Sequence, residues 1–351
     1  MTRTTSSAGT PPPPRSDAEL DELLSRPSEA DCQALRDLDG DLLILGAGGK
    51  MGPTLARLAR RAADEAGVSK RILGVARFSD PAVAAELSAS GVEVIQADLL
   101  QQDALAALPS VRNVIFMAAR KFGTAGQEGT TWAINSYLPG LVAQRFANSR
   151  IVAFSTGNVY PLTPIATGGC SEQHPVGPVG EYAQSALARE RMFEFFSSVH
   201  GTPVTLLRLN YAVDLRYGVL PDIARKVYEG RPVDLTTGAV NAIWQRDANS
   251  VCLRSLALAD TPPRVLNVTG PETISVARLA RQFGELFQRE PQLQGEEAST
   301  ALLSNAALCH EHFGYPSLPL QTLVQYTAAW IAAGGRSLHR PTHFEQRQGR
   351  Y

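Results

Sequence analysis

The 351-residue sequence predicts an α/β fold, a doubly wound parallel sheet with a smaller C-terminal lobe. Three observations carry this expectation. An apolar run ending at Leu45 enters the turn Gly46-Ala47-Gly48-Gly49-Lys50-Met51-Gly52, which opens directly into the helical apolar spacing of residues 53–59. Short β-rich runs then alternate with helical segments as far as Arg208, the pattern of parallel strands covered on both faces by crossover helices. Beyond Arg208 the alternation lapses into an irregular mixture.

The elements follow in order. Residues 1–16 are rich in Thr, Ser and Pro, lack the apolar core of a signal peptide and read as a disordered tail. Residues 17–40 form a polar helical extension with apolar positions at Leu20, Leu23, Leu24, Leu35 and Leu38. The strand at 41–45 and the glycine turn come next, then strands at 71–77, 92–96, 113–117, 150–154 and 203–208. Helices are expected between them at 80–90, 101–108, 130–147 and 181–200. Further helices near 221–229, 248–259, 275–288 and 321–333, with a strand at 265–268, should build the lobe, some segments returning to the sheet. The expected division is a dinucleotide-binding domain at 41–208, a substrate lobe at 209–335 and a tail at 336–351 that the pattern leaves unassigned.

Composition narrows the function classes. Apolar residues make up 44% of the chain, enough for a sizeable core, and a net charge of −1 offers little attraction to nucleic acid or an anionic membrane. Cys32, Cys170, Cys252 and Cys309 are widely spaced, which argues against a disulfide framework or a thiolate metal site and suits a reducing cytoplasm. His310 and His312 are two apart and face different sides of a helix, so no metal is expected there. No apolar run approaches the roughly 18 residues that a membrane span needs. Among macromolecules the expected partner is, at most, a second copy of the chain in a homodimer.

The glycine turn carries the first chemistry. Glycines let the backbone turn sharply and approach a pyrophosphate, while the helix that follows offers N–H donors and a positive dipole. Gly46-x-x-Gly49-x-x-Gly52 is joined, in order, by Asp98-Leu99, Phe116-Met117-Ala118-Ala119, Asn135, Ser155-Thr156-Gly157-Asn158-Val159-Tyr160-Pro161, Tyr182, Gln245-Arg246-Asp247 and a stretch from Ser304 through Tyr315-Pro316 to Trp330. From Asp41 to Gly334 the chain resembles the extended short-chain dehydrogenase/reductase family, the NAD(P)-dependent sugar epimerases and dehydratases. The resemblance implies a Rossmann fold. It implies cofactor contacts from Gly46, Gly49, Lys50, Met51, Gly52, Asp98, Leu99, Ala118, Ala119 and Tyr182.

The family's Tyr-x-x-x-Lys motif is broken here. There the tyrosine exchanges a proton with the substrate hydroxyl while hydride moves to or from the nicotinamide, and the lysine one turn later lowers the tyrosine pKa. Tyr182 aligns with that tyrosine and Thr156 with the catalytic hydroxyl, but the lysine position holds Ala186. Three readings follow. Another cation substitutes in a working enzyme, with Lys121 after the fourth strand the nearest by topology. Alternatively, a catalytically weakened chain binds NAD(P) to sense or scaffold, or Tyr182 is a helix-surface residue and the site lies elsewhere.

Cofactor choice rests on the end of the second strand. An acid there binds the ribose of NAD, whereas an arginine favours the 2′-phosphate of NADP. Gly74-Val75-Ala76-Arg77-Phe78-Ser79 presents Arg77 with no acid before Asp80, which favours NADP over NAD. Substrate contacts are expected from Asn158, from Asn210 in Arg208-Leu209-Asn210-Tyr211, and from the forked guanidinium of Arg216, with Arg246 a further anion contact to consider. The resemblance implies reaction at a carbinol carbon of a sugar, sugar acid or nucleotide sugar through a keto intermediate.

Overall fold

A computed structural model describes residues 11–123, 126–340 and 342–349. Most of the expected N-terminal tail, residues 1–10, lies outside the described residues; from Pro11 onward the chain is placed, and the Pro11 carbonyl accepts a hydrogen bond from Tyr326.

The centre is a parallel sheet of β1 (Leu42–Leu45), β2 (Ile72–Ala76), β3 (Glu93–Gln96), β4 (Asn113–Phe116), β5 (Arg150–Thr156), β6 (Val204–Leu209) and β7 (Arg264–Val268). Its order is β7-β6-β5-β4-β1-β2-β3, every pair parallel. The strand order reverses between β1 and β4, so a crevice opens at their carboxyl ends, where open α/β sheets bind ligands. Strands β1 and β4 are buried at every position, as apolar runs covered on both faces must be. The strand read at 265–268 does return to the sheet as its edge, β7, beside β6.

The N-terminal extension is two helices, α1 (Asp17–Ser25) and α2 (Glu29–Asp37), divided at Pro27; Ser28 caps the second through a reciprocal box with Asp31. Helix α3 (Gly52–Glu65) follows the glycine turn. The helix expected over 130–147 is interrupted. Pro139 has no N–H to give to the carbonyl of Asn135, and the Leu138 N–H donates instead to the Ala133 carbonyl, making a π turn at Ala133–Tyr137. That wider turn points Asn135 inward, where it is fully buried.

A second apolar core lies outside the sheet. It joins α9 (Val219–Tyr228), α11 (Val276–Phe287) and α13 (Leu320–Ala332) with Leu20 and Leu24 of α1 and with Phe344 from the C-terminal segment. Among the described residues no helix is long and apolar enough to cross a membrane.

Candidate active site

At the carboxyl end of β1 the glycine turn divides its labour. Gly46 has φ +98°, and a Cβ there would lie 2.7 Å from the Ala118 nitrogen on the neighbouring β4 loop; a Cβ on Gly52 would lie 2.3 Å from the Ala47 carbonyl oxygen. These two glycines are required by the turn and the helix packing themselves. Gly49 is different, because its nearest neighbour to a Cβ is one carbonyl oxygen at 3.3 Å and the position is exposed. Helix α3 has no side-chain cap and carries Pro53 in its first turn, so no N-cap side chain takes its first amides. Arg77 is exposed just past β2, and the first acid, Asp80, accepts the Ala82 N–H as the cap of the next helix. Asp98 is half-buried and accepts the Leu100 N–H beyond β3.

The hydroxyls of Thr156 and Tyr182 meet at the end of β5. Tyr182 stands in the first turn of α8 (Gly180–His200) and is buried. It shares a hydrogen bond with Thr156, whose hydroxyl donates to Asn158 Oδ1 at 3.0 Å. Burial raises the Tyr182 pKa, opposed by the positive charge of Arg189 and by the Thr156 hydrogen bond. A cavity of about 160 Å³ lies against them, lined also by Lys50, Met51, Lys121, Asn210 and Tyr217. The expectation that chain topology would bring Lys121 to Tyr182 agrees with the geometry: its Nζ lies 5.7 Å from the Tyr182 ring centroid and 5.8 Å from that of Tyr211. Lys50 donates to the Ala212 carbonyl at 3.0 Å and sits 4.0 Å over the Tyr217 ring. Burial pulls both ammonium groups down to about 8; Lys50 also feels Asp214 and Asp222 raising its value and Arg216 and Lys121 lowering it.

Ala186, at the position where the resemblance expects the lysine, is fully buried with Val159, Tyr160 and Cys170. A cation that sequence reasoning missed lies one turn further along α8. Arg189 is buried, donating to the Phe154 carbonyl at 2.7 Å and to Asn135 Oδ1 at 2.9 Å. Asn135 in turn donates to Ser185, which donates to the Tyr182 carbonyl. The signal was available, because position 189 is seven residues after Tyr182 and therefore on the same helix face. Behind this network a buried bidentate pair, Glu190 with Arg208 at 3.0 and 2.7 Å, ties α8 to β6.

Two of the expected anion contacts are corrected. Arg216 is buried and bound by Asp17, Asp21 and Asp214, clasping α1 to the second core, and it does not line the cavity. Arg246 pairs with Asp31 and Asp247 and donates to the Arg26 carbonyl, the same kind of clasp for α2. Asn158 and Asn210 do line the cavity. So does Thr342, from the C-terminal segment that the sequence pattern left unassigned.

The fold matches solved structures at low identity. A dTDP-glucose 4,6-dehydratase from Bacillus anthracis, in complex with NAD, is 14% identical over 84% of this chain and 97% of its own, with a TM-score of 0.69. A UDP-glucose 4-epimerase from Thermotoga maritima, with UDP-glucose, is 16% identical over 84% and 99%, with a TM-score of 0.66. MoeE5, in complex with UDP-glucose and NAD, is 19% identical over 84% and 99%, with a TM-score of 0.65. No curated protein sequence matches the chain. The profile of the NAD dependent epimerase/dehydratase family matches residues 42–268, from β1 through β7. The chain belongs to the NAD dependent epimerase/dehydratase family.

Proposed function

We propose that this protein is a nicotinamide-dependent oxidoreductase or epimerase acting at a carbinol carbon of a carbohydrate-type substrate through a keto intermediate. The observation that carries the proposal is the buried Thr156–Tyr182 hydroxyl pair at the carboxyl end of β5, facing a cavity that Lys121 also lines. The residues present fit a dinucleotide: Gly49 stands open where a side chain would intrude, and the amides of α3 above it have no side-chain cap. Gly46, Gly49, Lys50, Met51 and Gly52 would hold the pyrophosphate side, with Asp98, Leu99, Ala118, Ala119 and Tyr182 along the remainder. A bound nicotinamide supplies or accepts the hydride. Arg77 beyond β2, with Asp80 occupied as a helix cap, supports NADP. Solved relatives carry NAD, so NAD is the competing choice.

In this reading Thr156 orients the substrate oxygen and Tyr182 exchanges its proton. Tyr182 is held in its protonated form by burial. The cation that eases its ionisation is Arg189 beneath it, and Lys121, 5.7 Å from its ring, stands beside it in place of a lysine at position 186. The carbohydrate character of the substrate is supported by family membership and by relatives solved with UDP-glucose. A second reading, a binding-only relative, is favoured by Ala186 and by the upward shift of Tyr182.

A screen of hydroxy and keto carbohydrates separates the two. Absorbance of the reduced nicotinamide and product stereochemistry should both be followed, because epimerisation can leave no net redox change. The expected result is turnover by the parent protein. Tight cofactor binding with turnover only in Ala186→Lys would establish the binding-only reading instead.

A further inference from the structure

Helix α9 turns Val219, Ile223, Ala224 and Val227 into the second core, so its helical spacing puts Asp222, Arg225, Lys226 and Glu229 on the opposite face. A cavity of about 720 Å³ lies against that face, and residues 334–340 and 343–345, which run back from the end of α13, line its other side. The segment is pinned there. Thr342 donates through its N–H and its hydroxyl to Asp222 Oδ2 at 2.8 and 2.5 Å, and Glu345 pairs with Lys226. Among the described residues none lines both this cavity and the one beside Tyr182. The C-terminal half of its lining also lies beyond the stretch that the family profile matches.

The carboxylates that line this cavity are engaged. Asp222 holds Thr342, Glu345 holds Lys226, and Glu229 pairs with Arg231 at 2.6 Å. Arg225 is half-buried and makes no ion pair among the described residues; its one hydrogen bond there is a long one, 3.5 Å to the Arg216 carbonyl. Burial lowers its pKa, with Asp222, Glu229 and Asp214 acting the other way, and Asp214 is itself bound by Arg216 and by the Tyr217 amide. Arg340, exposed on the C-terminal segment, makes no ion pair among the described residues either. Arg336 reaches Asp17 at 3.2 Å, a carboxylate that also holds Arg216. A partly desolvated guanidinium without a counter-ion is costly, and an anion entering the cavity would relieve that cost. Forked donors arriving from two chain segments suit a phosphate, whose oxygens point in several directions, better than the planar acceptors of a carboxylate. The volume falls within the roughly 300–1,000 Å³ of small-molecule sites.

We infer that this cavity is a second ligand site, for a small phosphorylated anion held by Arg225 of α9 and by Arg336 and Arg340 of the C-terminal segment. It goes beyond the proposed function and does not depend on it. The test is calorimetric titration of the full chain, first saturated with NADP⁺ or NAD⁺ so that the glycine turn is occupied. The titrants are inorganic pyrophosphate, D-glucose 6-phosphate and malonate, at constant ionic strength. The tighter of the two phosphates, which tells a free diphosphate from a phosphate ester, should bind one per chain and about tenfold tighter than malonate. Arg225→Gln and Arg340→Gln should each weaken it by about tenfold, as loss of one charge-assisted contact does. Arg278→Gln, at an exposed arginine outside the cavity, should leave it unchanged, and the melting temperature reports that each variant is folded. No binding of either phosphate, malonate binding as tightly, or an affinity that survives both cavity substitutions would overturn the inference. A parent that takes neither dinucleotide would overturn the nicotinamide reading instead, and the same titrations of the unloaded chain and its variants would still decide this one.

Discussion

The glycine turn and the cavity beside Tyr182 are built on opposite plans. One contiguous stretch from β1 through Gly52 makes the strand, the turn and the uncapped helix start, with a local steric reason for Gly46 and for Gly52. The cavity a few residues away draws Lys50, Lys121, Thr156, Tyr182, Tyr217 and Thr342 from separate segments spread over most of the chain. A local device tolerates little change in any one residue. A cavity assembled from distant segments can be refitted piecewise; here Ala186 is buried, Lys121 lies 5.7 Å from the Tyr182 ring, and Thr342 reaches the cavity from the C-terminal segment.

Several substitutions would break or sharpen that contrast. Phe344→Ala empties a fully packed position and should cost the C-terminal segment about 3–5 kcal/mol. Hydrogen exchange of the amides in 342–349 reads this directly, and unchanged protection would show that Phe344 is not the anchor. Gly49→Val should lower affinity for the dinucleotide by about 100-fold or more, equivalent to about 2.7 kcal/mol. Its Cβ meets the Gly46 carbonyl oxygen at 3.3 Å, a tight contact, so the melting temperature is followed alongside to separate lost binding from lost folding. Undiminished affinity would remove the pyrophosphate from the glycine turn. Arg77→Asp should weaken NADPH by about tenfold relative to NADH, about 1.4 kcal/mol; equal losses for both cofactors would take Arg77 out of the 2′-phosphate site.

The smallest effect is one of pH. Lys50 and Lys121 are charged below about 8 and neutral above it, with Asp214 and Asp222 raising the value for Lys50, Arg216 opposing them, and the phenols of Tyr182, Tyr211 and Tyr217 alongside. Unfolded lysines hold their protons to about 10.5 while the folded pair release theirs near 8, so the unfolded state binds more protons in that window and stability rises. Lys121→Met should flatten the trend, and a parent protein with a flat profile would mean that the pair is not desolvated.

What could be read from the sequence follows the same division. The parallel sheet, its return strand β7 and the glycine turn were legible because strand length, apolar runs and glycine spacing are local signals. The nearness of Lys121 to Tyr182 was legible from strand order, since the chain leaving β4 emerges beside β5 at the carboxyl edge. The π turn at 133–137 was hidden behind a continuous apolar pattern, although Pro139 marked the place where the ladder had to slip. For Arg216 and Arg246 the sequence left an anion contact open beside an ordinary structural role, because it does not show the carboxylates of α1 and α2 that hold them. Thr342 and Phe344 could not be assigned, because a polar segment with one aromatic residue has no periodicity to say what it covers.

The central claim is that Tyr182 moves the proton while other groups replace the missing lysine. It is tested most directly by comparing cofactor-dependent turnover of the parent and Tyr182→Phe on an identified substrate, with dinucleotide affinity measured in both. Loss of about 10²–10⁴-fold in kcat with unchanged cofactor affinity is the result expected of a general acid–base group. Turnover in the parent that survives Tyr182→Phe undiminished would contradict the account and place the acid–base chemistry on another residue.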